Sequence, residues 1–267
     1  MVGVLTTDHP AWHHHASGTY VRAVRAGSGI WVMSYDSQGL RIDCVEGPED
    51  VKPSFVVTDP ADLPAAVPAA LREPLTELGV SQRLANPWLW DAITIAVLRQ
   101  GVHPDRAVRL YHTWCAAYGI NVEGPFGPVY LAPDHSAVLG MPRSSFAVAG
   151  VQFHYNALTS AASLYQQHHL EMQRLDAAAL ADALMSLPHL EPWTARVAAA
   201  DFTGDFSIYP YDDLAVRSRA ADIAPDYSWP ARKDDAFGAL WTGWCGDDST
   251  ARHTLTLSTL TWREHAR

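Results

Sequence analysis

The chain has 267 residues, 48% of them hydrophobic and 18% charged, with a formal net charge of −10. That is enough chain to bury a sizeable core in one large domain or two modest ones, and no apolar run reaches the roughly 20 residues a membrane-crossing helix needs. The opening MVGVLTTDHPAWHHH has no basic leader or cleavable apolar segment, and Cys44, Cys115 and Cys245 are scattered without a CxxC pair, so the expectation is a cytoplasmic protein with no signal peptide, disulfide framework or metal cluster.

In chain order, residues 19–24, 29–35, 40–44 and 54–58 read as strands, separated by Gly, Ser and Asp turn residues. Residues 59–74 are rich in Pro and Ala with a short helical stretch. Asn86-Pro87 reads as a helix start, since Asn caps and Pro suits the first turn, with Ile93, Ala96, Val97 and Gln100 following at helical spacing. Pro104 opens a second helix with the stripe Val108, Tyr111, Cys115 and Tyr118, closed by Gly119. Residues 124–133 read as a Pro/Gly loop. Further helices are expected over 142–161, 176–186, 192–202, 213–221, 234–244 and 249–262. The fold class expected is α+β: a small antiparallel β-rich N-terminal domain over 1–78, then an all-helical domain over 79–267.

Residues 184–218 read LMSLPHLEPWTARVAAADFTGDFSIYPYDDLAVRS. This resembles the helix–hairpin–helix, Pro-containing loop and Asp signature of DNA glycosylases, matched at Leu187, Pro188, Leu190, Thr194, Ala195, Pro210 and Asp213. Residues 86–100 look like the family's helix leading into a Gln-containing loop, and 139–145 (LGMPRSS) look like its Leu-Gly helix start. The β-rich first part is similar to the one that precedes the helical core in bacterial 3-methyladenine DNA glycosylase II.

The resemblance implies a monofunctional enzyme that hydrolyses the N-glycosidic bond of a damaged, alkylated purine in base excision repair. Such an enzyme takes its target out of the stack and stabilises positive charge on the sugar with a carboxylate. Asp213 is that carboxylate, with Asp212 adjacent; the plainer reading makes both helix caps. Trp193 stands where lyase-competent relatives carry a Lys, so no Schiff base is expected, and its indole suits a cationic purine. Gln100 and Leu214 complete the implied base pocket. Pro188, His189, Leu190, Glu191, Thr194, Arg143 and Arg196 are implied at the DNA backbone. No cofactor or metal is implied; four clustered C-terminal cysteines for an iron–sulfur cluster are absent from the sequence. Damaged double-stranded DNA is the implied partner, with no membrane, and a monomer is expected.

The sequence departs from this pattern in several places. Both hairpin glycines are replaced, by His189 and Glu191. The wedge position after Gln100 is Gly101. The Trp-Lys-Pro-Trp-Arg-like segment of the relatives reads Trp229-Pro230-Ala231-Arg232. The chain's acidity also works against a phosphate-binding surface, although a basic face can coexist with it. Two alternatives therefore stay open: a repurposed fold hydrolysing a free nucleoside or nucleotide, and a non-catalytic DNA- or nucleoside-binding protein.

Elsewhere, His9 and His13-His14-His15 read as a loop before a metal tract. Gln166-Gln167-His168-His169 reads as the polar end of a helix, and Asp234-Asp235 and Asp247-Asp248 as caps. Arg22, Arg25, Arg83, Arg99, Arg106, Arg109, Arg143, Arg174, Arg196 and Arg217 form the pool for a DNA-facing surface.

Overall fold

A computed structural model describes residues 3–211, 213–230 and 236–265 of the chain. Its contacts divide it into two units. The first holds the residues up to Asp8, Phe55–Leu84, and those from Gly204 onward; the second holds His9–Ser54 and Ala85–Thr203. Each unit takes residues from both sides of position 78. The architecture is α+β, with helices and three small sheets.

In the first unit, β1 (Val4–Leu5), β6 (Phe55–Thr58) and β7 (Ser81–Leu84) make a sheet in the order β1-β7-β6. The β1–β7 pair is parallel and the β6–β7 pair antiparallel. A short 3-10 helix, Pro60–Asp62, and α1 (Ala69–Leu78) fill the Pro/Ala-rich stretch. They pack with α9 (Leu214–Ile223), α10 (Ala236–Cys245) and α11 (Ser249–His265). Despite its Thr-rich sequence α11 is helical. Leu255, Leu257 and Leu260 are buried, and Thr261 returns its hydroxyl to the Leu257 carbonyl at 2.8 Å, satisfying itself within the helix. Asp248 Oδ1 caps it, accepting from the Thr250 and Ala251 amides. Asp212, Ala231, Arg232, Asp234 and Asp235 lie outside the described residues.

In the second unit, β2 (His13–His14), β3 (Tyr20–Ala26), β4 (Gly29–Asp36) and β5 (Gly39–Glu46) form an antiparallel sheet in chain order. The helical part is built around α2 (Leu89–Arg99), in which every residue from Leu89 to Leu98 is buried. A helix buried on every face belongs inside a helical layer. It packs against α3 (Pro104–Tyr118), α6 (Tyr155–Met172) and α8 (Pro192–Thr203), while α7 (Ala177–Met185) lies on α8.

Three sequence expectations change here. The Pro/Gly stretch is the turn of a hairpin between β8 (Ile120–Gly124) and β9 (Gly127–Leu131), with Gly127 at φ +111°. The long helix expected over 142–161 is divided. After α4 (His135–Gly140), α5 (Arg143–Val148) stops at Gly150, whose φ is +75°, and α6 starts anew. The buried stripe of α3 is Ala107, Tyr111, Trp114 and Cys115, rotated from the one read in the sequence.

A buried polar network ties β3, α2 and α8 together. Asn86 Nδ2 donates to Asp91 Oδ2 at 2.9 Å and to Asp201 Oδ2 at 3.0 Å. Tyr111 donates to Asp91 Oδ1 at 2.7 Å, and Arg22 lies 3.6 Å from Asp91. His9 Nδ1 accepts from the Ala11 amide, so its Nε2 carries the proton toward Asp201 at 3.1 Å. Burial, the largest effect, lowers the His9 pKa, and the Arg22 charge lowers it further.

Candidate active site

Asp213 belongs to the first unit and stands at the N-cap position of α9, with φ −55° and ψ 140°. Its carbonyl opens the helix, accepting from the Arg217 amide at 3.0 Å. Its carboxylate makes no capping bond. It accepts instead from the Tyr209 hydroxyl at 2.8 Å. The backbone therefore occupies a cap while the side chain is turned away from the amides a capping Asp would satisfy. Tyr209 is 3% exposed and stacks on Phe206, with centroids 5.6 Å apart. Phe206 carries the Arg83 guanidinium at 4.9 Å on its ring, and Arg83 pairs with Asp8. The Asp213 carboxylate is thus set by a rigid aromatic stack, and the residue itself is half-buried. Leu214, the next residue, is 48% exposed.

The hairpin belongs to the second unit, between α7 and α8. Leu187 to Leu190 form a tight turn, closed by the Leu190 amide on the Leu187 carbonyl at 3.4 Å. Pro188 occupies the second position and His189 the third. His189 has φ +70° and is the one non-glycine residue with positive φ among those described. A turn with Pro second and positive φ third is the type II arrangement, which favours Gly there. The backbone thus keeps a conformation suited to Gly with a His in it. Pro188, His189 and Glu191 are exposed and Leu190 is buried. The Glu191 carbonyl accepts from Ala195, placing Pro192 in the first turn of α8. Glu191 suits the positive end of that helix and competes with a phosphate for the same place.

Gln100 closes α2. Its Oε1 accepts from the Thr194 hydroxyl at 2.8 Å, and its Nε2 reaches the His189 carbonyl at 3.5 Å. The structure therefore brings Gln100, Thr194 and His189 together, with the Gln100 amide engaged on the hairpin. Gly101 follows at φ +70° with open space where a Cβ would stand. The wedge position is a left-handed helix exit, which explains the Gly. Trp193 is half-buried under the Arg99 guanidinium, 5.3 Å from its ring centre. Arg196 is exposed on α8; Arg143 is exposed on α5 and covers Tyr155 at 5.1 Å.

Arg22 and Arg83, offered as surface cations by the sequence, are 1% and 6% exposed and serve the interior. The His13 ring stacks on His112 at 4.0 Å and His15 on Phe126 at 4.4 Å. Among the described residues no cluster of metal-ligating side chains forms, and no helix is long and apolar enough to cross a membrane.

The reading of residues missed Tyr209, which holds the Asp213 carboxylate. Tyr209 stands one turn before Asp213, on the far side of Pro210. Its signal was an aromatic at that spacing from a cap-position Asp.

The fold is shared with DNA glycosylases. A protein named MBOgg1, solved with a low-affinity DNA ligand, superposes with a TM-score of 0.70 at 14% identity, over 98% of this chain and 90% of the other. The Clostridium acetobutylicum 8-oxoguanine glycosylase/lyase, solved with double-stranded DNA containing cytosine opposite 8-oxoguanine, gives 0.68 at 12%, over 96% and 88%. The 3-methyladenine DNA glycosylase of Archaeoglobus fulgidus gives 0.70 at 16%, over 95% and 90%. No family model and no curated protein sequence matches the chain.

Proposed function

We propose that this chain, which has the fold of the helix–hairpin–helix DNA glycosylases, is a monofunctional DNA glycosylase releasing an alkylated purine from duplex DNA, with Asp213 as its catalytic carboxylate. The observation that carries this reading is the state of Asp213: a cap-position Asp whose carboxylate does no capping and is held by Tyr209. An Asp present only to start a helix accepts from the first-turn amides.

The chemistry follows from that carboxylate. The C1′–N bond breaks heterolytically and its electron pair goes to the base nitrogen. In an alkylated purine that pair neutralises a cationic ring, so the leaving base needs no added proton. The sugar carbon is left positive, and a fixed carboxylate offsets that charge more strongly than mobile water does. Water then bonds to C1′ and gives up a proton, leaving an abasic site. Tyr209 acts as a positioning residue, since it fixes the carboxylate through one hydrogen bond. Trp193 has no amine and forms no covalent intermediate with the sugar; its indole face suits a cationic base. On this reading Leu214 is an apolar contact beside the carboxylate, and the hairpin from Pro188 to Thr194, with Arg143 and Arg196, meets the backbone. The enzyme works as a cytoplasmic monomer without cofactor.

A second reading is favoured by the hairpin itself. The exposed His189 and Glu191 stand where a phosphate would approach the backbone, and the chain carries −10. The same carboxylate would then cleave a free nucleoside or nucleotide. The experiment measures base release from methylated duplex DNA and from a panel of free nucleosides and nucleotides, by wild type and Asp213→Asn. Release from DNA that falls at least about 100-fold in the variant is expected, the scale of losing one fixed electrostatic group. Release from free nucleosides alone selects the second reading. Release from neither makes the chain a binding protein on this scaffold.

A further inference from the structure

The second unit contains a cavity of about 450 Å³ whose lining includes neither Asp213 and its partners nor the hairpin residues, and takes from the arginines named above only Arg25. Its volume falls within the range of small-molecule sites. The walls are aromatic. Trp88 lies on one side, held flat by the Arg25 guanidinium 4.6 Å from its ring centre. Tyr165 and His169 stack on each other, 5.2 Å apart and within 23° of parallel, and Phe202 also lines the space. The polar groups at its edges are mixed in type: the Asp134 carboxylate, the His135 and His169 rings and the Gln173 amide.

The charges in this cavity cancel. Arg25 pairs with Asp134 at 3.4 Å, and Asp134 also lies 2.9 Å from His135 Nδ1. Burial opposes ionisation of Asp134, but bonds from Ser136 and the charges of His135 and Arg25 outweigh it, so the carboxyl titrates below its ordinary value. A carboxylate kept ionised at the edge repels an anionic ligand. Among the described residues that line the cavity, the Lys/Arg-type cation is Arg25, and it is engaged by an indole face and a carboxylate. What remains on offer is the ring surfaces, the Asp134 carboxylate, the His169 Nε2 acceptor and the Gln173 amide.

We propose that this cavity is a second, small-molecule site that takes a free, uncharged, planar heteroaromatic compound with an N–H donor, the chemical class of a free nucleobase. The ring lies against the aromatic walls, its N–H groups donate to Asp134 and to His169 Nε2, which accepts because Nδ1 donates to the Tyr165 carbonyl at 3.0 Å, and a ring acceptor meets the Gln173 amide. The Asp134 carboxylate needs no strain to serve, because its other oxygen caps α4, accepting from the Ser136 amide at 3.1 Å. Occupation of this site is independent of any reaction at Asp213.

The test is saturation-transfer NMR and calorimetry on the full chain with adenine as the probe and inorganic phosphate as the anionic control. Asp134→Asn retains a helix cap while removing the charge, and Gln173→Ala changes an exposed residue at the end of α6. Adenine binding to wild type, weakened at least tenfold by Asp134→Asn and several-fold by Gln173→Ala, with Asp213→Asn indistinguishable from wild type, is the expected result. No adenine binding overturns the proposal. So does binding that survives both cavity variants but is lost in Asp213→Asn, which would put the base at the other site. Binding of phosphate in place of adenine overturns it as well.

Discussion

Asn86 is the most exacting position in the second unit, and its replacement tests how that unit is held together. The residue is 1% exposed, and its Nδ2 serves two carboxylates at once, Asp91 and Asp201, at 2.9 and 3.0 Å. Its Oδ1 accepts from the Trp88 amide at 3.2 Å. Hydrogen bonds to charged groups contribute about 1.5–3 kcal/mol each, and an orphaned buried partner costs its desolvation besides. Asn86→Ala removes both donor bonds and is expected to lower stability by roughly 3–5 kcal/mol. Asn86→Asp is the sharper probe because it keeps the size and the Trp88 acceptor. An ionised Asp there sits about 3 Å from two like charges, a repulsion of order 5 kcal/mol each at an effective dielectric of 20. A protonated Asp donates one bond where Asn donates two. Either way Asn86→Asp is expected to be at least as destabilising as Asn86→Ala in urea unfolding at pH 7. An Asp variant within about 1 kcal/mol of wild type would refute the network as an energetic element.

Other expectations are as direct. Tyr209→Phe deletes the hydroxyl that holds Asp213, so turnover of the DNA or nucleoside substrate should fall roughly 10- to 100-fold, as for loss of about 1.5–3 kcal/mol of charge-assisted bonding, with little change in KM; an unchanged kcat sinks the positioning role. His189→Gly relieves the positive φ, worth about 1–2 kcal/mol, at a cost of about 0.5–1 kcal/mol in unfolded-chain freedom. The variant should unfold at slightly higher urea, whereas His189→Val, with a branched Cβ, should unfold earlier. Gln100→Ala frees Thr194 and the hairpin turn, so amide exchange at 187–190 should accelerate while the Asp213 chemistry survives; loss of base release with unchanged exchange would give Gln100 a direct part in the substrate. Burial lowers the pKa of His9, His112, His154 and His253, and that of His13 to about 4. Above pH 6.5 both folded and unfolded forms of these groups are neutral. As pH falls below 6.5, the unfolded chain binds protons that the native state refuses, so stability is lost progressively down to about pH 4. The urea midpoint should therefore be lower at pH 5 than at pH 7.5, and a flat or reversed trend would count against buried neutral histidines.

The fold was legible where periodicity and punctuation agreed. The strand-like runs of 19–46 are separated by turns with Gly or Ser, and they pair antiparallel. It was illegible where one residue type serves two structures. The Pro and Gly of 124–133 read as loop because the same residues make a tight hairpin turn. Gly150 sits inside a helical apolar pattern and divides it, since a positive φ leaves no trace in hydrophobicity. The strands β1 and β7 are two and four residues long and pair across 75 residues, so neither has a local signal. The division into two units is illegible for the same reason. The segment before Asp8 and the last three helices belong to one unit through contacts that no window along the chain contains.

For the candidate site, the sequence names positions but not the partners that hold them. The hairpin glycine lost to His189 is a case in point. From sequence alone the substitution looks like a damaged motif, yet the backbone at 189 still takes the left-handed conformation a Gly would. The turn is therefore specified by Pro188, by the Leu190 anchor and by Gln100 and Thr194 rather than by residue 189 itself. That separates two properties which the motif merges: the shape of the hairpin and its hospitality to a phosphate. The shape persists, and the side chains at 189 and 191 decide what approaches it. If the chain works on DNA, restoring Gly at both positions should tighten binding and steepen its salt dependence without changing the chemical step at Asp213, because the fold already holds the backbone in place. If the double variant binds duplex DNA no better than wild type, the hairpin is not where this chain meets a phosphate, and the altered tip belongs to a site for a smaller substrate.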